Sequence, residues 1–216
     1  MVTDYWVQSN YELYDIGFAK TILSNHYSEE WNFIKLALWH FRLYESDIKR
    51  DGKNKTNIVK RLELPFKLNG WHEKSIYMEQ HLIDKKSFTT LHVNKSESHK
   101  IDAVKSNIAL EFEWNNKNAF FSRDLSELGR LHSAKVIDVG VIITRSYELS
   151  SLFVALGTYT GEKGGVKKVS SKYEGSTTHA NSVKNLLENG TAGGCPVLVI
   201  GITKKRFEAN GEIDTY

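Results

Sequence analysis

The acids best spaced for joint chemistry are Asp102, Glu111 and Glu113, in the segment IDAVKSNIALEFEW at residues 101–114. From Ile108 onward apolar and acidic residues alternate. Ile108, Leu110, Phe112 and Trp114 point one way and Ala109, Glu111 and Glu113 the other, the period of a half-buried strand. On this pattern the apolar set enters a core and the acids stay outside it. With Ser106 and Asn107 as a two-residue turn, Lys105 faces Ile108, Val104 faces Ala109 and Asp102 faces Glu111. Facing residues have Cβ atoms about 5 Å apart, close enough for two carboxylates to hold one small cation and to repel each other without it. Oxygen ligands of this kind suit Mg²⁺. The same spacing also fits a solvated acidic face on an edge hairpin.

Charge elsewhere is uneven. The formal net charge is only +3, but six basic residues (Lys49, Arg50, Lys53, Lys55, Lys60, Arg61) stand against one acid, Asp51. A second stretch carries Lys163, Lys167, Lys168, Lys172 and Lys184 against Glu162 and Glu174. Basic loops on a more neutral scaffold suit a groove that follows phosphates, and each loop alone also fits a solvated surface.

The elements that must position these residues read as follows. Helices are expected at 11–25, 28–47, 73–85, 122–134, 147–156 and 178–189, and strands at 62–68, 87–93, 136–144 and 197–203, besides the hairpin. Trp31, Ile34, Leu38 and Phe41 recur at helical spacing and are expected in the core. Residues 94–100, 115–121 and 157–176 read as loops. A hairpin followed by helix, strand, helix, helix and strand predicts an α/β fold, a mixed five- to six-stranded sheet sandwiched by helices, behind a largely helical part over 1–100. The 216 residues fit one domain with one core, and 40% apolar with 25% charged residues describes a globular chain. The opening residues lack a basic start and apolar run, and the longest apolar stretch, 196–202, is too short to span a bilayer, so a cytoplasmic location is expected. The single cysteine, Cys195, reads as packing, and Asp138 as a strand-end or satisfied buried acid.

At this point the residues carry a resemblance. Asp102, eight intervening residues and then Glu111-Phe112-Glu113 resembles the signature of the PD-(D/E)XK nuclease superfamily, and more narrowly the type II restriction endonucleases of the BamHI/BglII/BstYI group. EFEWNN, SRDLSELGRLHSA, VIDVGVIIT and CPVLVIGI resemble pieces of those enzymes in the same order, over about residues 100–203. The resemblance implies a restriction-endonuclease-like catalytic core at 101–203, with Asp102 and Glu111 as Mg²⁺ ligands and Glu113 as the third catalytic residue. Glu113 stands where the superfamily has Lys. A carboxylate there could take a proton from water or bind the metal. Lys100, facing Glu113 in the expected register, is a candidate for the missing positive charge, and Glu79 or Asp84 for a further ligand.

The resemblance further implies that Asn116 reads a base edge, although an Asn in this setting also fits plain turn chemistry. Ser176, Thr177, Thr178 and His179, opening a helix, are candidates for base or phosphate contact, and one of them for an N-cap. Lys117, Arg123, Lys167, Lys168 and Lys172 are candidate backbone contacts. Cutting both strands of a palindrome implies a homodimer on double-stranded DNA, with helices 122–134 and 147–156 at the interface and His132 as a possible contributor. The expected activity is that of a type II restriction endonuclease at a short palindrome, with a GATC core as an extension from the family. Rival classes are a DNA-binding protein of the same fold that does not cut, and a sugar hydrolase using Glu111 and Glu113, which would need no metal.

Overall fold

The computed structural model describes the chain except residues 52–55, 98–99, 117, 174–176 and 210–216, and it describes only the backbone of 118–120. In chain order the first elements are α1 (Asp4–Asn10), β1 (Tyr11–Ile16), α2 (Ala19–His26), α3 (Ser28–His40), β2 (Leu43–Tyr44), α4 (Glu45–Ile48) and α5 (Asn57–Leu68). Next come β3 (His72–Lys74), β4 (Tyr77–Ile83), β5 (Thr90–Glu97), β6 (Ile101–Lys105), β7 (Ile108–Phe112) and α6 (Asn118–Ser133). The remainder is β8 (Val139–Arg145), α7 (Leu149–Ala155), β9 (Thr158–Thr160), β10 (Val166–Lys168), α8 (Val169–Lys172), α9 (Ala180–Glu188), β11 (Val197–Ile202) and β12 (Phe207–Glu208).

Six strands form one mixed sheet in the order β1-β11-β8-β7-β6-β3. β7, β8 and β11 run parallel in the middle, and β1, β6 and β3 are antiparallel to their neighbours. Side-chain alternation sorts this sheet between two apolar layers. Ile108, Leu110, Phe112, Val139, Val141, Ile143, Leu198 and Ile200 join Trp31, Ile34, Leu38 and Phe66 on the α3 and α5 side. Ala109, Ile142, Val197 and Val199 meet Phe121, Leu125, Leu128 and Val183 of α6 and α9 on the other. The expected sandwich is therefore present, with both faces of the central strands covered, as parallel strands require.

The first hundred residues differ most from expectation. Residues 11–25 are not one helix. Tyr11–Ile16 is an edge strand paired with β11, and Gly17 (φ +65°) and Phe18 (φ +60°) break the chain before α2. The helix expected over 28–47 stops at His40, where Arg206 Nη2 donates to the freed carbonyls of Trp39 (3.0 Å) and Phe41 (2.6 Å). Residues 62–68, expected as a strand from alternating apolar residues, belong to α5. Its buried stripe is Ile58, Leu62 and Phe66, and Thr56 caps its first turn by accepting from Val59 N–H (3.3 Å). Residues 73–85 are strands rather than a helix: β3 joins the main sheet, and β4 forms a separate hairpin with β5, which itself runs past the expected 87–93. The loop over 157–176 contains the small β9–β10 hairpin and α8.

Candidate active site

The β6–β7 hairpin has the expected register, with Lys105 opposite Ile108, Val104 opposite Ala109 and Ala103 opposite Leu110. Ser106 (φ +48°) and Asn107 (φ +63°) are both left-handed, as a type I′ turn demands. Asp138 anchors that turn: its N–H donates to Asn107 O (2.8 Å), and its carboxylate accepts from Asn107 Nδ2 (3.4 Å) and the Tyr27 hydroxyl. It is a satisfied acid at the start of β8.

Beyond the paired residues, Asp102 and Glu111 hold each other's strand. Glu111 Oε2 accepts from Asp102 N–H (3.3 Å), and Asp102 Oδ2 accepts from Phe112 N–H (3.0 Å). The two carboxylates thus lie side by side across neighbouring strands. Glu113 follows one step along the same face, its N–H donating to Ile143 O (2.9 Å) and its carboxylate accepting from Asn116 Nδ2.

The expectation that the acids remain outside the core is corrected. Glu111 is 5% exposed and Glu113 7%. Their face of β7 is roofed by α6, which sequence periodicity places but whose packing on the acids it does not. α6 also contributes a fourth acid, Asp124, 2% exposed and hydrogen-bonded to Glu113. The sequence held a signal for it, because Asp124 lies on the buried stripe Phe121, Leu125, Leu128 and Leu131, where a charged residue is out of place. Electrostatics follow from this crowding. Burial first, then the negative charges of Asp102 and Asp124, lift the Glu111 carboxyl well above its usual range. Burial, then Asp124, push Glu113 up to about 8.

These residues fit a hard divalent cation. The donors are carboxylate oxygens on adjacent strands whose mutual repulsion a cation would relieve. Among the described residues, no three His, Cys, Asp or Glu side chains are already closed into a metal cage.

Other candidates fall in several places. Lys100 does not approach Glu113; it pairs with Glu73 (2.6 Å) on β3, the strand beside β6. Glu79 pairs with His81 (2.9 Å) on the β4–β5 hairpin, and Asp84 is occupied by the turn, accepting from Lys86 N–H and Ser87 N–H (2.9 and 2.6 Å), so neither joins the cluster. Lys67 of α5, whose ammonium is raised first by its partner Glu63 (2.9 Å) and last by Glu73 and Asp102, brings a positive charge toward Asp102. Sequence reasoning missed both Lys67 and Glu73. His132 Nδ1 lies 3.2 Å from Ile137 O. Cys195 is buried, and burial pushes its thiol up to about 12, which makes it a packing residue.

Asn116 stands between the acids and the helix expected to read bases. Its carbonyl accepts from Thr178 N–H (2.9 Å) while its side chain donates to Glu113. Thr178 is fully buried, Thr177 Oγ1 accepts from Arg145 Nη2 (2.8 Å), and His179 caps α9 by accepting from Ser182 N–H (3.2 Å). The N-cap is thus His179. Beside Asn115 opens a cleft of about 770 Å³ whose walls include Lys163, Lys167, Lys168 and Lys172. Lys167 pairs with Asp51 (2.8 Å), and Lys172 donates to Arg50 O (2.5 Å), while burial lowers its ammonium to about 8. Arg123 is half-exposed beside Asp124 (3.3 Å). Lys117 and Ser176 lie outside the described residues.

A mixed sheet between helices, with an acidic pair on one of its hairpins, is the frame of a nuclease of the restriction-endonuclease-like fold. The comparison with known families makes this specific. The family described as Restriction endonuclease BglII/BglIII matches residues 11–202, nearly the whole chain. The chain belongs to that family and is a type II site-specific deoxyribonuclease, a hydrolase acting on DNA. No curated protein matches it. Among the described residues no helix is long and apolar enough to cross a membrane.

Proposed function

We propose that this endonuclease hydrolyses both strands of double-stranded DNA at a short palindrome in a Mg²⁺-dependent reaction, as a cytoplasmic homodimer within a restriction-modification system. The observation that carries the reading is the meeting of the Asp102 and Glu111 carboxylates across β6 and β7. Asp102 and Glu111 would hold the cation, whose positive charge would supply stabilisation of the scissile phosphate and a lowered pKa for the attacking water. Glu113 accepts that water's proton. Its raised pKa suits a base working near neutral pH, and Asn116 and Asp124 fix the orientation of its carboxylate.

Recognition is assigned to Asn116, Lys117 and the Ser176–His179 region, with Arg123, Lys167, Lys168 and Lys172 positioning the backbone. Buried Thr178 acts by shaping the start of α9 rather than by touching a base. A palindrome containing GATC is the first site to test. Two copies related by a two-fold axis present one active site to each strand, with α6 and α7 as the proposed contact.

The test is digestion of a fully sequenced plasmid with and without Mg²⁺. Discrete fragments with common ends are expected only with the metal. Equal cutting in EDTA would mean that Asp102 and Glu111 are not metal ligands, and a mobility shift without fragments would mean a binder. Glu111→Ala should cut at least about a hundredfold more slowly while binding the same site. Near wild-type cutting by that variant would displace the active site from this hairpin.

A further inference from the structure

β8 lies between β7 and β11 and is buried along its whole length, yet its last residue is an arginine, Arg145, only 1% exposed. The guanidinium lies over the Phe153 ring of α7 (5.8 Å to its centroid), and Phe153 in turn stacks on Tyr173 (4.1 Å). Its polar contacts all run in one direction. Nη2 donates to Thr177 Oγ1 (2.8 Å) and also reaches the carbonyls of Thr177 (3.5 Å) and Tyr173 (3.4 Å). Nε and Nη1 have no hydrogen-bond partner among the described residues. Burial lowers its pKa only to about 10, so the group stays charged near neutral pH. A desolvated guanidinium without a carboxylate beside it costs stability, and an unbranched apolar side chain would fill the space without that cost. Packing alone therefore does not account for an arginine here.

The partners of this arginine supply a reason. One nitrogen holds backbone on both sides of residues 174–176, at Tyr173 and at Thr177. The next residue, Thr178, is fully buried and its N–H donates to Asn116 O (2.9 Å), while Asn116 Nδ2 donates to the Glu113 carboxylate. Arg145 itself ends the strand that pairs with the acid-bearing β7, where Glu111 lies opposite Ile142 and Phe112 opposite Ile143. Contacts thus run unbroken from Arg145 through Thr177, Thr178 and Asn116 to Glu113. We propose that Arg145 is a positioning residue for specificity: its guanidinium holds residues 177–179 in register with Asn116, so that a correct base sequence met there is transmitted to the orientation of Glu113. The inference rests on the recognition and catalytic roles proposed above and deepens them. A direct contact between Arg145 and DNA fits the geometry poorly, because the guanidinium is sealed off by Phe153, Tyr173 and Thr177.

The experiment compares the full-length wild type with Arg145→Met, Thr177→Val and the double variant. The probes are a duplex carrying the site found by plasmid digestion and duplexes with one base pair of that site changed. For R145M the thermal transition should be no lower than that of the wild type, because an uncompensated buried charge is removed. Its cognate-to-mismatch ratio of kcat/KM should nevertheless fall at least about tenfold, chiefly through kcat on the cognate duplex. A residue that merely packs would not lose specificity while keeping stability. The double variant should lose no more than R145M alone, since Arg145 acts through Thr177. An R145M ratio within about twofold of wild type overturns the proposal, and so do losses in R145M and T177V that multiply in the double variant. Affinity lost equally for cognate and mismatched duplexes, with a shallower salt dependence, also overturns it and makes Arg145 a phosphate contact. Should R145M fail to fold, T177V decides, and an unchanged ratio in it overturns the coupling. A wild type that cuts no DNA refutes the function proposed above and the coupling with it, whereas a wild type that cuts while R145M keeps its ratio refutes the coupling alone.

Discussion

Glu113→Gln should make the metal-free protein more stable, and increasingly so as pH rises. In the folded chain the Glu113 carboxyl moves from 4.5 to about 8, chiefly through burial and the neighbouring Asp124. Below about pH 4.5 both folded and unfolded chains hold its proton. Between there and about pH 8 the unfolded chain has released a proton that the folded chain keeps, so stability falls as pH rises and levels off above about 8. At about 1.4 kcal/mol per pH unit the upper bound is ~5 kcal/mol. Because neighbouring groups relax as Glu113 ionises, about 2–5 kcal/mol is the expected range at pH 8, or roughly 5–15 °C in Tm for a domain of this size. Gln keeps the shape, can still accept from Asn116 and cannot ionise. The assay is thermal unfolding of wild type and E113Q in EDTA from pH 5 to 8.5. The wild-type curve should fall away from that of E113Q as pH increases, and Mg²⁺ should restore the wild type most at the alkaline end. Parallel curves across the whole range would refute the claim that Glu113 is buried among other acids.

Further outcomes follow from other contacts. Gly129→Ala should destabilise by about 1–3 kcal/mol in urea unfolding despite the better helix former, because a Cβ there would lie 2.5 Å from the backbone oxygen of Ala192. A gain in stability would mean that α6 sits farther from the 190–195 turn. Asn116→Ala should lower discrimination between cognate and single-mismatch sites by about tenfold or more, read as a ratio of cleavage rates. An unchanged ratio would confine Asn116 to turn chemistry. Leu110→Ala, in the covered centre of β7, should cost about 2–5 kcal/mol in the same urea assay.

The hairpin was legible because local signals agree: alternation from Ile108 to Trp114 fixes the faces, and the short turn fixes which residues oppose. α6, α9, β8 and β11 were legible for the same reason, each being amphipathic or continuously apolar over its length. The first hundred residues were not. Tyr11–Ile16 mixes acids and aromatics, and its strand state comes from β11 beside it, a partner nearly two hundred positions away. In α5, Leu62, Leu64, Phe66 and Leu68 satisfy a period of two, and only the earlier Ile58 reveals the stripe that is buried. The burial of the acids depended on where α6 lands. Asp124, four residues before Leu128, was the readable clue.

The turn at Ser106 and Asn107 lies at the far end of the hairpin from the acids, with a fixed count of strand residues on either side. One residue inserted within a strand, between the turn and Asp102 or Glu111, would swing that acid into the oily layer beneath the sheet. A residue inserted at the loop tip would move neither. The segment can therefore lengthen at its tip, or within its strands by even steps, and odd changes inside a strand should be as damaging as deleting the acid itself.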